Sequence, residues 1–267
     1  MTRSIYSALE NIPSGLNKNL TSPSASFYKQ LFGEPRLDKI YSTKPSEATN
    51  KDLLNISKTE SVGPFRATGL KPAVDSLKQI MYEIAITYPD LVNRLNNDGM
   101  RVVKYIKDTT TLSNHSWGGA IDLRVDHVQD KQRDDKILHG LALIAPIFNK
   151  HGWYSGAAYK PKKNKKTGKI KSNEDSMHFE VSREKLLEWQ KAGLLGIASK
   201  NKKVVPPALA VPKPRTSKKK VNKKAENGLT HPHAAETSTW HQKDHYNTKR
   251  WNIASRLYSL HRFLWED

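Results

Sequence analysis

The sequence predicts an α+β fold. Ile121, Leu123 and Val125 alternate with Asp122, Arg124 and Asp126 across residues 120–128, and Met177, Phe179 and Val181 alternate with His178 and Glu180. Both runs carry the period-two pattern of half-buried strands. Val74, Leu77, Met81, Ile84 and Tyr88 recur at helical spacing instead, as do Ile137, Leu138, Leu141, Ile144, Ala145 and Phe148. The two kinds of segment are interspersed without the repeating strand-helix-strand rhythm of a parallel sheet.

Residues 1–65 are rich in Ser, Thr, Asn and Pro, with short apolar clusters at Phe27, Tyr28, Leu31 and Phe32 and at Leu53, Leu54 and Ile56. They are expected to form an irregular arm wrapping a domain over 66–198. Pro72 suits a first helical turn, so a helix is expected from there to near Thr87, before Pro89. Gly99 is expected to close a shorter helical piece, and residues 100–107, rich in Val, Tyr and Ile, to form a strand. Gly152 is placed to stop the helix of Ile137 to Phe148. Ser182 is placed to cap one carrying Leu186, Leu187 and Trp189. The segment PKKNKKTGKI at 161–170 reads as a basic loop. Residues 199–239 read as a flexible, Lys-rich linker, and 240–267 as an amphipathic helix with Ile253, Leu257, Leu260 and Leu264 on one face.

Composition narrows the chemistry. A net charge of +19, from 45 Lys and Arg against 26 Asp and Glu, implies attraction to a polyanion such as nucleic acid, anionic lipid or an anionic wall polymer. A hydrophobic fraction of 36% in 267 residues leaves one packed unit with loose ends. There is no cysteine, which excludes disulfides and thiolate ligands and leaves His, Asp and Glu for a transition metal. The N-terminus lacks the apolar run of a signal peptide and no later segment reads as a membrane span. The expectation is synthesis in the cytoplasm without a signal peptide.

The most informative segment is Ser113-Asn114-His115-Ser116-Trp117-Gly118-Gly119-Ala120-Ile121-Asp122. A histidine on a turn, small residues that permit close backbone approach and an aspartate entering a strand would set an imidazole and a carboxylate around one point. A catalytic zinc (Zn2+) needs a third protein ligand, and His178 on the polar side of a later strand is the best supplier. Asp175, three residues earlier, is placed to act as general base. Singly, each has an ordinary role: His115 can cap a turn, Asp122 can pair with Arg124 or a lysine, and His178 can sit on the surface.

Together, Ser-x-His-x-x-Gly-x-Ala-x-Asp followed by Asp-x-x-His resembles the zinc D-alanyl-D-alanine carboxypeptidases of the VanY and VanX type and the phage L-alanyl-D-glutamate endopeptidases. Ser113, His115, Gly118, Ala120 and Asp122 match position by position. The likeness extends through GLKPAVDSLKQI, HGLALIAPIFNKHGWYSGAAY and EDSMHFEVS, about residues 69–193. It implies a DD-peptidase/hedgehog-like domain with a small antiparallel sheet flanked by helices. It also implies zinc on His115, Asp122 and His178, Asp175 as base, and Ser113 at the substrate carbonyl or the water. Carboxypeptidases of this family often carry Glu at the base position and the endopeptidases Asp, which tilts the expectation toward an endopeptidase. Glu174 is adjacent, so a one-residue shift of the base stays open.

The family also uses an upstream arginine for a substrate carboxylate; here Arg101 and Lys104 stand without a clean match, either serving that role or as solvated charges. Trp117 either walls the cleft or packs, and Glu180 either orients a ligand histidine or faces solvent. The resulting expectation is hydrolysis of peptidoglycan peptides, in the periplasm or outside the cell after lysis or injection. The Lys-rich tail would engage anionic wall polymer, and a delivery or immunity protein is a possible partner. The competing class is a wall- or nucleic-acid-binding module acting through its basic tail, against which the base argues, since a binder has no need of Asp175.

Overall fold

The computed structural model describes residues 4–163 and 167–196, all within one unit, Met1–Val205. The expected Lys-rich linker and terminal helix lie outside the described residues. Four regular elements come from residues 1–65, the segment expected to be irregular. After a short 3-10 turn, β1 (Leu9–Asn11) precedes α1 (Ala25–Phe32), whose cap Ser24 accepts from the Phe27 amide. Phe27, Tyr28, Leu31 and Phe32 form the buried stripe of α1. Then α2 (Lys51–Asn55), capped by Asn50, leads into β2 (Ser57–Ser61). The arm is therefore ordered and contributes to the core through Leu53 and Val62 as well.

β2 pairs with β3 (Arg66–Leu70) from Ser57 opposite Leu70 to Ser61 opposite Arg66. The expected boundary between residues 65 and 66 thus falls in the turn of one hairpin, where the Val62 amide donates to the Phe65 carbonyl. α3 (Lys71–Thr87) follows with Pro72 in its first turn, as the sequence predicts, and buries Val74, Leu77, Ile80, Met81 and Ile84. α4 (Pro89–Val92) and β4 (Leu95–Asn97) come next.

Residues 100–107 do not form the expected strand. Their backbone partners come from separate segments: Val103 exchanges bonds with Ser46, the Val102 amide donates to His115, Tyr105 to Ser42 and Ile106 to Thr111. No continuous ladder can form from partners so scattered.

A 3-10 turn at Asn114–Trp117 enters β5 (Ala120–Val125), and β6 (Lys136–Leu138) pairs with β1. That pairing takes Ile137 and Leu138 out of the expected helix, so α5 (His139–Lys150) starts two residues later. β7 (Trp153–Ser155), the short pair β8 (Lys162–Lys163) and β9 (Ile170–Lys171), β10 (His178–Val181) and α6 (Arg183–Lys191) complete the order. Ser182 caps α6 by accepting from the Lys185 amide, as expected, but Leu187 is exposed.

The central sheet has the order β4-β5-β10-β7, antiparallel throughout. Ile121, Leu123, Val125, Phe179 and Val181 belong to its buried side, where Phe148 of α5 stacks on Phe179 with centroids 4.1 Å apart. Period two sends Asp122, His178 and Glu180 to the other side. No helix among the described residues is long and apolar enough to cross a membrane.

Candidate metal centre

The site is built on one register. In the β5–β10 ladder His178 stands directly opposite Asp122, and their side chains share a face. His115 reaches the same point from the 3-10 turn before β5. Gly118 ends that turn at φ +70° and its carbonyl accepts from the Leu70 amide at 3.0 Å. A Cβ at Gly118 would lie 2.7 Å from Gly69 Cα, so only glycine fits this crossing.

Asp122 Oδ1 lies 3.1 Å from His115 Nε2 and 3.0 Å from His178 Nδ1, and the two ring nitrogens are 3.1 Å apart. The other nitrogen of each ring is occupied. His115 Nδ1 meets the Met100 carbonyl at 3.1 Å, and a carbonyl only accepts, so that nitrogen carries the hydrogen. His178 Nε2 meets Glu180 Oε2 at 3.3 Å, which assigns its hydrogen in the same way. Two imidazole lone pairs and a carboxylate oxygen are left facing one another. A proton on one ring satisfies one such pair; a divalent cation satisfies all of them. Donors of a tetrahedral zinc site with bonds of about 2.0–2.1 Å stand roughly 3.3 Å apart, close to the observed spacing. His115, Asp122 and His178 are also the one group among the described residues with metal-holding geometry.

Electrostatics agree. Burial pushes the Asp122 carboxyl up, but the His115 and His178 rings outweigh it and hold it well below the usual range. Burial pulls His178 down, and Asp122 and Glu180 outweigh that and raise it well above its ordinary value. The point favours positive charge.

Glu180 is fully buried and does not face solvent. Besides His178, it accepts from Asn114 Nδ2 at 2.5 Å and from the Tyr159 hydroxyl at 2.7 Å. Burial raises its carboxyl, and the His178 ring, followed by Ser22 and Asn114, holds it lower. Tyr159, raised well above its ordinary value by burial and then by Glu180, stays neutral and donates.

The structure separates the two candidate bases. Glu174 Oε1 accepts from the Ser176 amide at 2.6 Å and from its hydroxyl, and Oε2 accepts from the Asp134 amide at 3.2 Å. It is a buried connector with both oxygens engaged. Asp175 accepts from Gln132 Nε2 through Oδ2 at 2.7 Å, while its buried Oδ1 has no partner among the described residues. Burial pushes its carboxyl above the usual range and Asp122 adds to this, while His178, the Gln132 amide and His115 pull it back. A raised carboxyl with a free oxygen has the properties of a general base.

These groups line a cleft of about 1250 Å³ that also takes in Ser113 and Lys104. Two expectations are corrected here. Trp117 is fully buried, stacks on Tyr28 at 5.2 Å and donates through Nε1 to the Gly33 carbonyl at 2.9 Å. It packs the arm against the domain and walls no cleft. Arg101 is absent from the cleft lining; its Nη2 stands 3.7 Å from Glu47 Oε2 on the arm. Sequence reasoning missed Arg124 and Arg133 as cleft cations, and the Ser22–Ala25 stretch of the arm, leading into α1, as a wall. It missed Gln132 and Tyr159 as well. Only Arg124 carried a signal, because it shares the polar side of β5 with Asp122.

A family model described as D-alanyl-D-alanine carboxypeptidase matches residues 107–181, the stretch that holds His115, Asp122, Asp175, His178 and Glu180. No curated protein and no solved structure matches the chain. Over that stretch the chain is similar to the VanY-like D-alanyl-D-alanine carboxypeptidases.

Proposed function

We propose that this chain is a zinc peptidase that hydrolyses a peptide bond in the D-amino-acid-containing stem or cross-link of peptidoglycan, on a DD-peptidase/hedgehog-like domain. The observation that carries the reading is the convergence of His115 Nε2, Asp122 Oδ1 and His178 Nδ1 to within about 3 Å of one another, with the outer nitrogen of each ring already partnered. Zinc held there supplies a Lewis acid that polarises a carbonyl and acidifies water.

The chain's own residues do the rest. Asp175 Oδ1 takes the proton of the attacking water and returns it to the departing amine, so no other acid is required. Ser113, in the cleft wall beside His115, is assigned to the substrate carbonyl or the water. Lys104, on the same wall, is assigned to a substrate carboxylate. Glu180 fixes the His178 ring, and Tyr159 and Asn114 fix Glu180.

An endopeptidase is favoured over a carboxypeptidase by the aspartate at the base position. The enzyme would reach wall by phage lysis or by injection, and the Lys-rich tail would hold it on anionic polymer. Digestion of purified peptidoglycan, with the fragments identified by mass spectrometry, tests the reading: new amine and carboxyl ends within the stem or cross-link support it. Intact muropeptides after incubation with the zinc-loaded protein would sink it.

A further inference from the structure

The base sits on a segment with little regular structure of its own, between β9 and β10. What fixes it is a second loop, residues 132–136, through a row of bonds. The Arg133 amide donates to the Glu174 carbonyl at 3.1 Å and the Asp134 amide to Glu174 Oε2. Ser172 Oγ donates to Asp135 Oδ1 at 2.6 Å, and Ser176 Oγ to the Lys136 carbonyl at 2.9 Å. Arg133 and Asp135 adopt φ of +66° and +58°, a conformation non-glycine residues take only when surroundings hold them there. Of these contacts one touches the reacting carboxylate: Gln132 Nε2 on Asp175 Oδ2 at 2.7 Å.

We propose that Gln132 is a positioning residue for the general base, its side-chain amide holding Asp175 Oδ2 so that Oδ1 is the oxygen turned to the proton. The proposal rests on the peptidase reading for its catalytic meaning. The carboxylate rotor is two-fold and broad at its terminal torsion, so an aspartate without a fixed oxygen samples both faces. A donor on Oδ2 removes that freedom and leaves Oδ1, buried and without a partner among the described residues, as the single available acceptor. The amide is neutral, so it orients the carboxylate while blunting its basicity less than a cation in the same place would. Gln132 lines the cleft beside Asp175 and Met177, yet lies 43 residues from Asp175 in sequence.

The test is a double-mutant cycle on the full chain: wild type, Gln132→Ala, Asp175→Asn and the double variant. Each is assayed on a cross-linked muropeptide with kcat and KM separated, and each is checked for bound zinc. Gln132→Ala is expected to lower kcat roughly tenfold to a hundredfold, with KM within about twofold and zinc unchanged. In the Asp175→Asn background it is expected to cost nothing further, because the group it positions is gone. Gln132→Glu, close in size but without the N–H donor, is expected to lose at least as much as Gln132→Ala. A loss of equal size in both backgrounds, or a loss carried by KM or by zinc content, would show a merely structural role and overturn the proposal. Urea unfolding of the same proteins reads the coupling between the two side chains without turnover. Additive destabilisation refutes the contact itself. A wild type that cuts no muropeptide refutes the peptidase reading separately.

Discussion

Asp122 and His178 face each other across the β5–β10 ladder, and Asp122 Oδ1 lies 3.0 Å from His178 Nδ1. Residues 56 positions apart in sequence are thereby held to hydrogen-bond distance by backbone pairing alone. The same ladder sets Glu180 opposite Ala120, a residue too small to obstruct the contacts of Glu180 with Tyr159 and Asn114. Slipping the register by one residue would turn all of these side chains into the core.

Metal content follows directly. The purified protein is expected to hold close to one zinc per chain, and His115→Ala or His178→Ala to empty the site. Elemental analysis of dialysed protein checks this. Chelation is expected to lower the thermal midpoint of the wild type and to leave the emptied variants where they were, because only a bound ion contributes linked stability. Full zinc occupancy in the His115→Ala, His178→Ala double variant would remove these residues as ligands.

The two adjacent carboxylates are expected to fail differently. Asp175→Asn should keep zinc and fold while losing about 10²–10⁴ in kcat, the usual share of a general base. Glu174→Gln should retain most of kcat per folded molecule but lower stability by about 1–3 kcal/mol, since its single oxygen can serve either the Ser176 amide or the Asp134 amide and the other loses its acceptor. Urea denaturation and single-substrate kinetics on both variants decide between them.

Glu180→Gln is expected to weaken zinc binding by about 10–100-fold without removing a ligand, by unfixing the His178 ring. Competition with a chromogenic chelator measures it. The Tyr159→Phe variant, which takes away one of the donors to Glu180, should show a smaller weakening in the same direction.

Gly156→Ala probes the floor beneath the base. An added Cβ would stand 2.4 Å from the Asp175 carbonyl oxygen and 3.2 Å from His178 Cβ, and the Asp175 amide donates to the Gly156 carbonyl. The expected outcome is a loss of about 1–3 kcal/mol in stability together with lower activity, read by thermal melts and turnover.

Asp130 supplies a pH dependence. Its carboxyl is pushed up to about 6, first by burial and then by Glu174 and Asp134, against the pull of the Leu138 amide. Its Oδ2 accepts from that amide at 2.7 Å, and Oδ1 has no partner among the described residues. With the folded value above the unfolded one, the native state binds more protons between about pH 4 and 6, so this group's contribution to stability falls as pH rises through that window. Asp130→Asn, whose amide oxygen can still accept from Leu138, is therefore expected to raise the melting temperature at pH 7 and to leave it nearly unchanged at pH 4. The reverse order in paired melts would reject this account.

The residues 115–122 and 174–182 were legible from sequence because each motif is local: a turn with small residues entering a strand, and a strand whose period of two sets His178 and Glu180 on its polar side. The mixed helices and strands, the Pro72 start of α3 and the Ser182 cap of α6 were legible for the same reason, since a cap or a first turn depends on neighbours a few residues away. Tertiary structure decided what depends on distant partners. Glu174 and Asp175 are neighbours of the same chemistry, and the Asp134 amide completes the engagement of Glu174 that Ser176 begins, while Gln132 takes one oxygen of Asp175 and leaves the other free. Trp117 looks the same in sequence whether it walls a cleft or packs, until Tyr28 and Gly33 of the arm are brought against it. Local propensity reads the backbone, whereas burial and hydrogen-bond partners at long range are set by how the arm, the sheet and the loops close on one another.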